Sequence, residues 1–222
     1  MATRDPDDVR EQVLTATFTS VARVGMAKTT VEGVARTSGV SRATIYRHFP
    51  GGRDELLAET VAWEMGRFFL RLAEAVGDAP DFVTLVEDGL MFARTSVRDH
   101  EVLQKMLITE PETLLPLMTT QSHRTLEWIQ MYLQPFVERE AAAGRLRPGV
   151  EVDPAVDYVA RMILSLISSP GRWNLDDRAE VETLVRCELL GGILREEFLP
   201  GAGVCIDEMD RVAGPAGGDR VE

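Results

Sequence analysis

Apolar residues recur every three or four positions along most of the chain, which is the spacing of amphipathic α-helices. Near the N-terminus they occupy about half of a helical wheel, at Val9, Val13, Leu14, Phe18, Val21 and Val24. The sequence contains no Asn-Gly turn, few alternating runs typical of strands and no internal repeat. We therefore predict an all-α fold.

Capping residues and helix breakers indicate where the helices begin and end. Asp5-Pro6 provides an N-cap and a first helical residue, and Gly25 suits a left-handed helix end. Thr29-Thr30-Val31-Glu32 contains a capping box that starts a second helix, and Ser41 caps a third that runs to about His48. Further helices are predicted at about residues 54–77, 81–97, 101–109, 112–143, 153–168 and 178–198, with a break near Pro116 and a kink at Pro135.

Two of the short helices, Thr30–Thr37 and Ser41–His48, have the format of a helix-turn-helix. Gly39 between them lets the chain reverse without a Cβ clash. Their inner faces and the first helix are expected to share a core of Val31, Val34, Ala35, Val40, Ile45 and Phe49. The opposite face of the later helix has donors and cations that suit phosphates and base edges, namely Ser41, Arg42, Thr44, Arg47 and His48. A solvated face is the alternative for each of them, but Arg42 and Arg47 together after a glycine turn favour DNA contact.

The distribution of charge bears on the same question. The net charge of the chain is −12, which taken alone disfavours a nucleic-acid partner. Residues 23–53, however, contain six cations and a single acid, Glu32, so this window carries a net charge of +5. From residue 61 onward there are 16 basic and 28 acidic residues. Such asymmetry is expected where one part of a protein binds a polyanion, although charge alone leaves a chance fluctuation equally open.

The unbroken stretch from Gly25 to Pro50 combines a Thr-Thr start, a Val-Ala pair, Ser-Gly-Val-Ser and Tyr-Arg-His-Phe. In this combination residues 10–57 resemble the DNA-binding domain of the TetR family of transcriptional regulators, and the rest of the chain matches in helical layout. The resemblance implies a helix-turn-helix domain in residues 1–56, followed by a helical ligand-binding and dimerisation domain in residues 57–199. The tail at 200–222 is rich in glycine and proline, and we expect it to be disordered.

The resemblance also implies roles for individual residues in DNA binding. Arg42, Ala43 and Thr44 correspond to the base-facing start of the recognition helix, and Tyr46, Arg47 and His48 to contacts with the backbone or the groove edge. Thr30 would donate to a phosphate from the start of the second helix. Arg53 stands where the family usually has a phosphate-binding lysine, after a link one residue longer than the common pattern. For Tyr46 the alternative is a ring packed in the small core with only its hydroxyl exposed.

A ligand pocket in the helical body is a further implication of the resemblance. The expected lining consists of Phe92, Met106, Trp128, Met131, Tyr132, Phe136, Tyr158 and Met162. The stripe from Trp128 to Phe136 indicates an apolar or aromatic effector. Each of these residues is also a candidate for the ordinary core, since they occur at helical spacing.

A homodimer is expected because one recognition helix reads too few base pairs for selective binding. Apolar stripes in the last two long helices predict the interface, and Gly191-Gly192, placed inside the last helix, would let two backbones approach closely. The stripes are Val156, Val159, Ile163, Leu166 and Ile167, and then Val181, Leu184, Val185, Leu189, Ile193 and Leu194. The alternative is that both stripes pack only within the monomer.

Motifs for catalysis and for cofactor binding are missing from the sequence. There is no G-x-S-x-G, Walker loop or G-x-G-x-x-G, and His123 with Glu127 supplies too few ligands for a metal site. We predict no catalytic residue, no cofactor and no metal. With no signal-like start and no apolar run of membrane-spanning length, the expected location is the cytoplasm.

The sequence thus predicts a ligand-responsive transcriptional regulator, most directly a repressor that a small molecule releases from a palindromic operator in double-stranded DNA. The alternative is a helical small-molecule-binding or enzymatic protein without operator-specific DNA binding. The basic recognition helix favours the regulator.

Overall fold

The computed structural model describes residues 6–112 and 123–199, and helices make up almost all of the regular structure in these ranges. The helices are α1 (Pro6–Val24), α2 (Val31–Ser38), α3 (Arg42–His48), α4 (Gly52–Val76), α5 (Phe82–Arg98), α6 (Glu101–Thr109), α7 (His123–Ala142), α8 (Val152–Ser168) and α9 (Arg178–Thr183). A π-helical turn at Leu184–Leu189 continues α9, and a short 3-10 turn follows at Glu196–Phe198. The predicted all-α fold is confirmed.

Local caps place most helix ends where the sequence predicts them. Gly25 ends α1 with a φ of 87°, and the Ser41 hydroxyl accepts from the Thr44 amide at 3.2 Å to begin α3. The predicted capping box is wrong by one residue. Thr30 is the N-cap of α2 and accepts from the Gly33 amide at 3.1 Å. Thr29 is buried and instead donates its hydroxyl to the Gly25 carbonyl.

The chain divides into two compact units. The first consists of Met1–Glu74 with Ser96–Ser122, and the second of Ala75–Thr95 with His123–Glu222. Helix α6 therefore belongs to the same unit as the helix-turn-helix. The domain boundary after residue 56 stays a prediction, and the predicted tail at 200–222 and break near Pro116 lie outside the described residues.

The predicted small core of the helix-turn-helix is confirmed. Helices α1, α2 and α3 and the start of α4 enclose Val13, Leu14, Ala16, Val31, Val34, Val40, Ile45, Phe49 and Leu56, with Ala35 partly buried at the edge. The polar interruption of the α1 stripe is satisfied locally, since the buried Thr17 hydroxyl donates to the Val13 carbonyl at 2.8 Å. This core holds α3 against α2 and leaves the outer face of α3 for other contacts.

In the second unit, α7 and α8 pack along each other. Gln130 and Gln134 of α7 donate to Asp157 and Asp153 of α8 at 2.7 and 3.1 Å. None of the helices in the described ranges combines the length and apolar character needed to cross a bilayer.

A buried ion pair joins α5 to the π-helical turn in this unit. Arg186 donates from Nε to the buried Glu87 carboxylate at 2.9 Å, and Arg178 pairs with Asp88. Burial raises the pKa of Glu87, and the nearby Arg186 charge opposes that rise.

The predicted last helix is wrong in its second half. The π-helical turn ends at Leu189, and the chain then pairs with the loop after α7, where Arg147 N donates to Ile193 O at 2.8 Å and Arg195 N to Arg145 O at 3.0 Å. A Cβ on Gly191 would lie 2.5 Å from the Cys187 carbonyl oxygen. Glycine is thus needed for close approach to the preceding turn of the same chain, and the glycine pair marks the end of a helix.

The apolar stripe assigned to a dimer interface in this segment lies in the core of the single chain. No member is more than 5% exposed among Val181, Leu184, Val185, Leu189, Ile193 and Leu194. On α8, Val156, Val159 and Leu166 are also buried, and Ile163 and Ile167 are half-buried. Most residues of both stripes are therefore buried within the monomer, because their neighbours come from the same chain. This is the alternative to a dimer interface.

Candidate nucleic-acid interface

Helix α3 exposes its polar side chains to solvent because its apolar residues face the small core. Ile45 within the helix and Phe49 just after it are fully buried. The residues predicted to contact DNA lie away from them: Ser41, Arg42, Ala43, Tyr46 and Arg47 are exposed, and Thr44 and His48 are half-buried. The structure thus brings the predicted recognition residues together on one short helix.

The turn before α3 fixes the angle at which the helix is presented. Gly39 has a φ of 69°, and its amide donates to the Ala35 carbonyl at 2.9 Å. The Ser38 hydroxyl accepts from the Val40 amide, and Gln12 of α1 donates to the Ser38 carbonyl at 2.7 Å. These bonds satisfy the turn internally, so α3 keeps its orientation without needing a ligand.

The two arginines of α3 have different surroundings. Arg42 donates from Nη1 to Glu32 Oε1 at 3.1 Å, and both side chains are exposed. Within the described residues no carboxylate pairs with Arg47. A hydrogen bond with the backbone at Glu32 and then the Arg42 guanidinium lower the pKa of the Glu32 carboxyl, so it is ionised at neutral pH.

The Tyr46 side chain lies on the surface of the helix-turn-helix. The side chain is 48% exposed, so the ring does not lie in the small core. Its Cε1 would be 3.2 Å from a Cβ on Gly52, which has a φ of 68° at the start of α4. The exposed ring therefore lies against the α3–α4 turn from outside.

The predicted phosphate contacts outside α3 are Thr30, which ends the α1–α2 loop (residues 25–30), and Arg53, which bonds to carbonyls of that loop. Thr30 is exposed, and because its hydroxyl oxygen accepts from Gly33, its proton remains available to a phosphate. Arg53 instead turns toward its own chain. It donates from Nε to Thr29 O at 2.8 Å, from Nη2 to Met26 O at 2.7 Å and from Nη1 to Asp54 at 2.9 Å.

Two residues that no sequence pattern predicts, Lys105 of α6 and its C-cap Glu110, contact the same loop region. Glu110 accepts from the Ala27 amide at 3.0 Å. Lys105 donates to the carbonyls of Ala22 and Arg23 at 2.7 and 3.2 Å, at the end of α1. No local sequence signal reveals these contacts, since they join residues about 80 positions apart.

Substitutions at Arg53 can separate its two candidate roles, which are positioning of the α1–α2 loop and contact with a DNA phosphate. We expect Arg53→Ala to loosen the loop, with loss of about 2 kcal/mol of unfolding free energy, because several charge-assisted hydrogen bonds disappear. Arg53→Lys keeps the charge but cannot reach all of these oxygens, so a positioning role predicts that it resembles the alanine variant in urea denaturation and in binding of labelled DNA. Full DNA affinity in Arg53→Lys would instead support the predicted phosphate contact.

The residues predicted to line an effector pocket are divided between the two units. Met106 lies in the first unit, buried with Val21 and Leu57. In the second unit Phe92, Trp128 and Met162 are half-buried, Met131 is 66% exposed, and Tyr158 is exposed with its hydroxyl donating to the Glu188 carbonyl at 3.2 Å.

The structure does bring Tyr132 and Phe136 together. Their rings lie 5.5 Å apart on α7, Arg139 covers the Phe136 ring, and burial raises the pKa of Tyr132. The ligand-binding role of the whole set stays a prediction.

No set of three or more metal-ligating side chains converges anywhere in residues 6–112 and 123–199. His123 and Glu127 are both exposed at the start of α7.

Several solved structures have a similar architecture. The sequence has no significant match among curated proteins. In fold it is similar to the TetR family repressor AlkX from Dietzia sp. strain DQ12-45-1b, at 24% identity over 79% of this chain and 92% of AlkX with a TM-score of 0.55. SmeT, the repressor of the Stenotrophomonas maltophilia multidrug efflux pump SmeDEF, is 21% identical over 86% and 94% with a TM-score of 0.55. Salmonella enterica GusR is 17% identical over 86% and 97% with a TM-score of 0.60.

These identities support likeness of fold, and the family is indicated by the sequence of the helix-turn-helix itself. Residues 13–60, from the middle of α1 to the first turns of α4, match the model of bacterial regulatory proteins of the tetR family. This range contains α2, the glycine turn, α3 and the small core that supports them. Residues 13–60 therefore form a helix-turn-helix domain of the tetR family, and the fold of the chain is similar to that of solved repressors of this family.

Proposed function

We propose that the protein is a dimeric repressor that binds a palindromic operator through α3 and releases it when a small molecule binds the second unit. The observation that carries this proposal is the outer face of α3, where the guanidinium groups of Arg42 and Arg47 are exposed on a helix held by a satisfied turn. The surrounding window has a net charge of +5 in a chain of −12. Positive charge is therefore concentrated where a phosphate backbone would meet the protein.

Position along α3 suggests how the contacts are divided. Arg42 opens the helix next to its N-cap, and the first residues of a recognition helix are those that reach base edges in the major groove. Arg47 lies in the last turn, and Thr30 is at the start of α2, where each would meet the flanking backbone. We assign base reading to Arg42 and phosphate contacts to Arg47 and Thr30, with Ser41, Ala43, Thr44, Tyr46 and His48 lining the same face.

Two-fold symmetry is part of the proposal because an isologous dimer presents two recognition helices to two half-sites. The buried stripe of residues 181–194 is not available for this contact. The exposed side of α8, which includes Tyr158, Arg161 and Ser165, remains available and is where we place the interface. Sedimentation of the wild-type protein as a monomer at operator-binding concentrations would contradict the dimer.

For the effector we propose an apolar or aromatic small molecule. The half-buried ring pair of Tyr132 and Phe136 in the second unit supplies aromatic surface for such a ligand. SmeT, which has a similar fold, is described in complex with triclosan. Titrating triclosan into a preformed protein–DNA complex is the first test, and release of the DNA at concentrations that leave the protein folded would support the proposal.

The function itself is tested by binding of wild-type protein to labelled DNA from the regions flanking its own gene. Fluorescence anisotropy at two salt concentrations should show tight, salt-dependent binding to one fragment and much weaker binding to a scrambled duplex of equal composition. Equal affinity for both duplexes would favour the alternative, a helical protein without operator specificity.

We expect Arg42→Ala and Arg47→Ala to weaken DNA binding in different ways. Loss of a base contact by Arg42→Ala should cost roughly 1–3 kcal/mol on the bound fragment and blur the preference at one base position. Arg47→Ala should weaken binding to every sequence and flatten the slope of log K against log salt by about one unit. Losses of equal size on the bound and scrambled duplexes for Arg42→Ala would contradict the assignment of base reading.

A further inference from the structure

A single acidic residue lies next to the proposed DNA-binding face of α3. Glu32 is the single acid among the six cations of residues 23–53. It is exposed in the first turn of α2 and ionised at neutral pH, for the reasons given above. A carboxylate beside the phosphate backbone repels DNA, so Glu32 lowers the general affinity that the cations provide.

Stability of the fold explains Glu32 only in part. An acid in the first turn of a helix interacts favourably with the helix dipole, and this would account for an acid anywhere in that turn. The carboxylate, however, extends to the next helix and accepts from Arg42 at 3.1 Å. Since both side chains are more than half exposed, the pair contributes little to folding.

Building on the proposed function, we propose that Glu32 determines operator specificity by holding the Arg42 guanidinium in one orientation. The planar guanidinium reads guanine through two parallel hydrogen bonds, so its orientation decides whether the contact forms. A guanidinium already held in place loses less side-chain entropy on binding the correct base. Glu32 is thus a positioning residue that acts through Arg42.

The same pair discriminates against other sequences. On unrelated DNA, a mobile Arg42 would turn to the nearest phosphate, and that contact carries no sequence information. With Glu32 present, such a contact requires the ion pair to break and leaves the carboxylate facing the phosphates. Affinity for unrelated DNA therefore falls more than affinity for the operator, which widens the ratio between them.

The test is Glu32→Gln, which removes the charge and keeps the size of the side chain. The measured quantity is the ratio of dissociation constants for a scrambled duplex and for the fragment bound by the wild type. We expect this ratio to fall at least about fivefold, the smallest effect that one bidentate base contact supplies, with tighter binding to the scrambled duplex. An unchanged ratio would overturn the proposal.

Two further variants separate positioning from a simple charge effect. Glu11→Gln removes one exposed acid from α1 in the same unit and should leave the ratio unchanged. In an Arg42→Ala background, Glu32→Gln should no longer lower the ratio, because the residue through which it acts is gone. A full effect in that background, or an equal effect from Glu11→Gln, would overturn the positioning role.

Thermal unfolding and the wild-type control distinguish the remaining outcomes. Glu32→Gln, Glu11→Gln and the wild type should melt within a few degrees of one another, and a lower ratio without a lower melting temperature supports the proposal. A ratio that falls only in proportion to lost stability would overturn it. A wild-type protein that never prefers a fragment over its scrambled form would contradict the proposed function itself, and that result does not depend on Glu32.

Discussion

Replacing Ile193 with aspartate is expected to unfold the second unit, although the sequence places this residue at a dimer interface. Ile193 is 5% exposed, and its carbonyl accepts from Arg147 in the pairing between the loop after α7 and the segment after the π-helical turn. An unpaired carboxylate at such a site costs about 3–5 kcal/mol, which is a large fraction of the stability of an ordinary domain. Urea denaturation followed by circular dichroism should show a strongly lowered midpoint.

The matched control is the same substitution at Ile108, which is 82% exposed on α6. Ile108→Asp should change the unfolding free energy by no more than about 0.5 kcal/mol, as surface substitutions usually do. If Ile193→Asp instead sedimented as a monomer with wild-type helix content and midpoint, the residue would belong to an interface between subunits.

Replacing Phe49 with alanine is expected to abolish DNA binding by unfolding the helix-turn-helix. Phe49 is fully buried between α3 and α4, and Arg10 of α1 lies 5.1 Å from its ring centroid. Deleting a buried phenyl ring costs about 3–5 kcal/mol, and a core this small has few other contacts to compensate. Anisotropy with the bound fragment and helix content by circular dichroism should fall together.

Phe198→Ala is the control for this change, since Phe198 is 37% exposed in the 3-10 turn of the second unit. It should keep both DNA binding and helix content. Retention of full operator affinity by Phe49→Ala would show that α3 is held in place without this ring.

Local chemistry is sufficient to predict the helix-turn-helix. The helix α3 begins at the residue after Ser41 and the turn bends at Gly39, because a hydroxyl cap and a left-handed glycine act over three or four residues. The apolar spacing of α1 and α2 likewise identifies the small core, since each helix has a single buried face. The exposed face of α3 follows from that core, so the candidate DNA-binding residues could be predicted from sequence.

What the tertiary structure decided depends on residues distant in the chain. A hydrophobic stripe cannot reveal which surface covers it, so the sequence predicts a subunit interface within residues 181–194, although the same chain buries the stripe. The charge of Arg53 suggests a phosphate, yet its orientation is set by carbonyls of the α1–α2 loop, more than 20 positions earlier. Gly191 is compatible with a helix in sequence, yet the chain leaves the helix after Leu189 because Ile193 and Arg195 pair with Arg147 and Arg145 of the loop after α7. Capping and periodicity operate within one or two helical turns, whereas burial and ion pairing depend on which distant segments the folded chain brings into contact.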